Sequence, residues 1–166
     1  MTRGIFVASN ALPATELNDC FDPPRCRVYN SANISLTSGV ATALTFDTEV
    51  EDTGAMHSTS VNTSRITIPS GGAGWYRMGA CVRFAANTTG YREVKIQANG
   101  SVDLVIQRVP NSGATDDSRV ACHTEYPLVA GDYIELVAAQ NSGGALDALA
   151  LAPYSISLYA IWSAVY

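Results

Sequence analysis

The sequence predicts an all-β sandwich of about nine to ten antiparallel strands, preceded by an arm that is not part of the sheets. Three observations carry that prediction. From Cys26 onward, apolar and polar residues alternate in short segments. Clusters of Gly, Asn, Asp and Ser separate those segments. No segment shows a helical period. The alternation is compatible with an immunoglobulin-like or a jelly-roll sandwich. At 166 residues the chain fits one domain with one core.

Residues 1–25 form the arm. They do not alternate. "PATELNDCF" fits one short helix with Thr15 as N-cap, although Glu16 stands too early for a capping box. "DPP" then stops it. Phe6, Leu12, Leu17 and Phe21 are its apolar anchors. The apolar run Ile5–Val7 is too short for the core of a signal peptide, so no cleaved leader is expected. Without export, the sequons at Asn33, Asn62, Asn87 and Asn99 carry no meaning.

The domain is expected over 26–166. "CRVYNSA" is its first strand and "ALTFD" the second. The stretch from Thr48 to Thr63 reads as irregular and polar. Then follow "SRITIP", "GWYRMGACVRFA", "YREVKIQANG", "VDLVIQRVP", "SRVACHTEYPLV", "YIELVAAQ" and "SISLYAIWS", with "NSGGALDALALAP" as the last separator. Asn99-Gly100 is the strongest hairpin signal.

Parity assigns the faces. Tyr76, Met78, Ala80, Val82 and Phe84 point one way; Arg77, Cys81 and Arg83 point the other. Val94, Ile96 and Ala98 go in, and Glu93, Lys95 and Gln97 go out. Val120, Cys122 and Tyr126 oppose Arg119, His123 and Glu125, which makes His123 a solvated residue. The last strand breaks the rule: Ile156, Leu158, Tyr159, Ile161 and Trp162 are apolar on both parities. Its second face meets either another subunit or more of the same core, and a subunit is favoured.

Composition excludes several functions. Charged residues make up only 15% and the net charge is −5, with nine arginines, one lysine and no basic run, so nucleic-acid binding has no electrostatic footprint. No stretch approaches the roughly 20 apolar residues of a membrane span. The four cysteines, Cys20, Cys26, Cys81 and Cys122, contain no C-x-x-C pair, and the adjacent Cys122 and His123 point to opposite faces. Free structural thiols are expected, with a Cys20–Cys26 bridge as the main exception. Glu49, Asp52 and His57 could hold an ion, but a polar loop is favoured. Asp116-Asp117 reads as a solvated turn. With two histidines and no G-x-S-x-G, no enzyme, cofactor or metal is expected.

A set of ordered features resembles a known family. These are Phe46, the Gly74/Tyr76 entry to a long central strand, Phe84 closing it, the Asn99-Gly100 hairpin, and "LVAGDYIEL" from Leu128 to Leu136. Together they resemble the globular-head domain of the complement first component, subcomponent q, whose ten-stranded jelly roll is shared with tumour necrosis factor. The resemblance covers roughly Cys26 to Tyr166. No collagen-like Gly-X-Y segment accompanies it. "DTGAMH", "NTSR" and "GYR" are similar to copies in bacterial and phage genomes, which typically sit on virion structural proteins.

That resemblance implies a jelly roll and a homotrimer packed through apolar strands. It implies a non-enzymatic bacteriophage structural protein: a minor tail or tail-tip protein, or a capsid decoration, at the virion surface and made in the host cytoplasm. Residues 1–25 would hold the knob to tail or capsid proteins, or fold back on their own trimer. The alternative function is host recognition, with the loops binding a cell-surface glycan or protein.

Overall fold

The computed structural model describes residues 23–111, 113 and 116–164. The anchors Phe6, Leu12, Leu17 and Phe21, and Cys20 with them, lie outside the described residues. Every described element is a strand. In chain order these are β1 (Arg25–Tyr29), β2 (Ile34–Leu36), β3 (Thr42–Ala43), β4 (Thr48–Asp52), β5 (Arg65–Thr67), β6 (Gly74–Phe84), β7 (Tyr91–Ala98), β8 (Val102–Pro110), β9 (Ser118–Leu128), β10 (Tyr133–Gln140), β11 (Leu146–Leu149) and β12 (Ser157–Ala164).

They form two antiparallel sheets. The larger runs β2-β11-β6-β12-β1-β4, with β9 on the other side of β6; the smaller runs β3-β10-β7-β8, with β5 also paired to β10. This is a jelly-roll sandwich, as expected. Its core takes Tyr76, Met78, Val82 and Phe84 from β6, Val94 and Ile96 from β7, Val120 from β9, and Leu158 and Ala160 from β12. Alternation placed the β6, β7 and β9 residues correctly, because each of those strands has one covered face; in β12, apolar on both parities, it did not separate Leu158 and Ala160 from the outer residues.

The Asn99-Gly100 signal forms the β7–β8 corner. Both residues have positive φ, 51° and 69°, the conformation that Asn-Gly tolerates best.

Three expectations are corrected. Thr48–Thr63 is not irregular throughout, because its first five residues are β4. β4 is an edge strand exposed along most of its length, so it shows no alternation. The separator "NSGGALDALALAP" contains β11, four residues held between β2 and β6. Of "ALTFD", only Ala43 is in a strand; the chain then continues through single bonds, Leu44 N–H to the Leu136 carbonyl (2.9 Å) and Phe46 N–H to the Thr63 carbonyl (2.8 Å). Tyr126 differs too. It has core parity but is 40% exposed, because β9 has no neighbour beyond β6.

The register fixes two ends. Arg25 pairs with Ile161 and Trp75 with Ala164, so β1 starts and β12 finishes at one end, with the β7–β8 and β9–β10 turns. The β6–β7, β8–β9 and β10–β11 connections gather at the other.

Candidate functional site, the outer face of the large sheet

The larger sheet's outer face is built from cross-strand rows. One row runs Arg25, Ile161, Arg77, Glu125, and the next runs Glu51, Arg27, Tyr159, Gly79, His123. Towards the loop end comes Ser157, Cys81, Ala121. Charges close the rows at their flanks. Arg25 Nε lies 2.6 Å from Glu51 Oε1, and Arg77 Nε 2.7 Å from Glu125 Oε1. Between them runs an apolar, small-residue strip.

Gly79 explains why the strip is concave. A Cβ there would lie 2.7 Å from Tyr159 Cζ, so the ring lies flat over a position that only glycine leaves open. The result is a cleft of about 600 Å³ lined by Arg27, Gly79, Cys81, Ala121, Tyr159 and Ile161, with Tyr154 at its rim. Tyr154 is 64% exposed and Ile161 39%. Trp75 continues the strip towards the end where β1 starts, with 41% of its surface open.

The expected subunit-contact set divides on this sheet. Ile156 and Leu158 are fully enclosed in their own sandwich core and have no surface to offer a second chain. Trp162 is half-buried, packs on the core and donates its indole N–H to the Ala73 carbonyl at 3.4 Å. Tyr159 and Ile161 alone of the set face the cleft. The sequence reading missed Gly79, Ala121 and Arg27. A glycine inside a long strand was the available signal for the first of them.

Other expected groups are engaged elsewhere. Asp52 accepts the backbone N–H groups of Met56 (2.9 Å) and His57 (3.0 Å). Both ring nitrogens of His57 already have partners, Glu49 and the Thr63 carbonyl. No group of three metal-ligating side chains occurs among the described residues. Asp117 is not simply solvated; it bonds Arg83 Nε and lies 3.8 Å from Arg119 Nε. His123 is exposed, as its parity required.

Cys26, Cys81 and Cys122 are free thiols. Burial pushes the Cys122 thiol up to about 11 and raises Cys81 as well; burial, reinforced by Asp52 and Glu49, raises Cys26. None is poised as a thiolate. Thiol counting in denaturant is expected to find all three. A Cys81–Cys122 disulfide would contradict their placement on opposite faces of the sheet.

Comparison with solved structures places the fold. The globular domain of zebrafish complement 1qA protein superposes with a TM-score of 0.58 at 11% identity, covering 84% of this chain and 95% of that one. Murine APRIL at pH 8.0 gives 0.63 at 13% identity, covering 84% and 98%. Eiger TNF from S. frugiperda gives 0.63 at 11% identity, covering 86% and 95%. No family model and no curated protein sequence matches the chain. At these identities the likeness is one of fold: the jelly roll of complement-type globular heads and of the tumour necrosis factor group.

Proposed function

We propose that the protein is a non-enzymatic structural knob, a homotrimer on the surface of a bacteriophage particle, attached to tail or capsid proteins by residues 1–25. The observation that carries the subunit contact is the apolar outer strip of β6 and β12. An antiparallel sheet facing water keeps its outer face polar. Here Trp75, Ile161 and Tyr159 stand there, with Gly79 in β6 and Ala121 in β9 beside them and Arg77 as the one charge in β6 between Trp75 and Gly79. The strip is concave, so it fits a protruding edge better than a copy of itself. The β8–β9 edge offers one, with Ile106 51% and Tyr126 40% exposed. A face-to-edge contact is heterologous, and with a threefold rotation it closes as a ring of three.

The phage setting rests on the sequence resemblance, and the geometry supports an anchored knob. The arm enters β1 at Arg25, at the end opposite the β6–β7, β8–β9 and β10–β11 loops. An attached knob would present those loops outward. They carry Asn87, Thr88, Thr89, Asn141 and Ser142 with Asp116 and Asp117, polar side chains of which Asn87 and Asn141 also accept backbone N–H groups at this end. This arrangement favours host-surface glycan or protein binding as the second reading. Glu49, Asp52 and His57 are engaged in holding the 53–64 segment, so that set is not offered as acid–base machinery.

Deleting residues 1–22 tests the attachment. The truncated chain keeps every described strand, so it is expected to fold, to associate and to melt nearly as the full chain does. It should no longer bind particles that lack the protein. Burying one arm anchor is worth roughly 1.5–3 kcal/mol, and three arms on one knob multiply a modest affinity. Equal binding by the truncated chain would move attachment to the sandwich surface. Unfolding on truncation would make the arm part of the core.

A further inference from the structure

β4 carries Glu49, Glu51 and Asp52, and strict alternation would put Glu49 and Glu51 on one face. The register against β1 does not allow it. Arg27 faces Glu51 and Val28 faces Glu49, so Val50 is an extra residue and the pairing shifts between them. Such a bulge re-aims the side chains beside it. Glu51 stays on the outer face with Arg25, while Glu49 takes the register of Val28, a core residue.

There Glu49 meets His57. The His57 side chain is 0% exposed. Its Nδ1 lies 3.0 Å from Glu49 Oε1, and its Nε2 lies 3.2 Å from the Thr63 carbonyl oxygen. Both partners accept and neither can donate. A neutral imidazole has one N–H, so it satisfies one oxygen and sets a lone pair against the other. Only the imidazolium donates to both.

We propose that His57 is held as the imidazolium and acts as a pH-sensitive clasp on the 53–64 segment, which crosses from β4 in the larger sheet to β5 in the smaller. The rest of the segment is tied by backbone groups: Met56 and His57 N–H to the Asp52 carboxylate, Thr67 N–H to the Met56 carbonyl (2.7 Å), and Phe46 N–H to the Thr63 carbonyl. His57 is the member of that set whose side chain is of the type that changes charge near neutrality. The charged groups facing it are the carboxylates of Glu49 and Asp52, both from β4. Near those two carboxylates β1 carries the Cys26 thiol, kept neutral by burial. The segment before β4 contributes the Phe46 ring, edge-on with centroids 6.1 Å apart. Removing the ring proton cuts one of two ties, to β4 through Glu49 or to Thr63 at the far end of the segment. The clasp therefore closes on the acid side of neutrality and slackens as pH rises.

Nitrogen-15 NMR of the full chain tests this directly, because His57 and His123 are the two histidines and an H123Q variant assigns them. At about pH 6.5, where an ordinary imidazole is half protonated, His57 is expected to carry hydrogen on both ring nitrogens. A singly protonated His57 at that pH overturns the proposal. Hydrogen exchange gives the second readout. After correction for intrinsic rates, the 53–63 amides should lose about tenfold protection between roughly pH 6 and pH 9, while β6 amides do not. H57Q should abolish that difference. Equal pH dependence in H57Q and wild type overturns the proposal too, and if H57Q does not fold, the wild-type spectrum decides alone.

Discussion

Ile161→Asp is expected to take the proposed assembly apart and leave the subunit folded. In the single chain Ile161 is 39% exposed, between Arg25 and Arg77 in adjacent strands. An aspartate there meets water and two guanidinium groups in the free subunit, so the sandwich loses little. At a subunit contact the same group is desolvated, and both arginines are already committed to Glu51 and Glu125. Lost apolar burial removes roughly 1.5–3 kcal/mol per contact, and the buried carboxylate adds a penalty of several kcal/mol where it stays unpaired. Each contact should weaken at least about a hundredfold. Sedimentation of the variant is expected to find monomers with the wild-type β-sheet circular dichroism. Intact association of the variant would remove Ile161 from the interface.

Phe84→Ala is expected to produce the largest loss of stability. Phe84 is fully buried where β6 meets β9 and β11, paired with Ser118 and Ala148. Removing an enclosed ring leaves a cavity that paired strands on both sides cannot close. The cost is about 3–5 kcal/mol, against about 5–15 kcal/mol for the stability of a whole domain. The denaturation midpoint in urea should fall sharply with the slope unchanged. A shift below about 1 kcal/mol would mean that Phe84 lies outside the core.

These two residues also mark what alternation can and cannot reveal. Phe84 was legible because β6 covers one face, and the period of two sorts Tyr76, Met78 and Val82 with it. Ile161 and Tyr159 were legible as apolar residues on the wrong parity. That Ile156 and Leu158 belong wholly to the core, and not to a contact, needed the register of β12 against β6 and β1.

Charge hid other features. Arg92 shares the parity of Val94 and Ile96 and is fully buried, donating to the carbonyls of Asn87, Thr89 and Tyr91. Those carbonyls come from a turn whose path the sequence does not specify. Burial lowers the guanidinium's proton affinity, and its Nε has no hydrogen-bond partner. β4 was hidden because an exposed edge strand has no face to alternate. The contact of Glu49 with His57 was hidden because a bulge breaks the period of two at one residue.

The proposed trimer is tested most directly by the solution mass of the full-length wild-type chain, measured by light scattering at micromolar concentration. The outer strip of β6 and β12, if it is a subunit contact, requires a stable particle with the mass of three 17.5 kDa chains. A stable monomer at that concentration would contradict it.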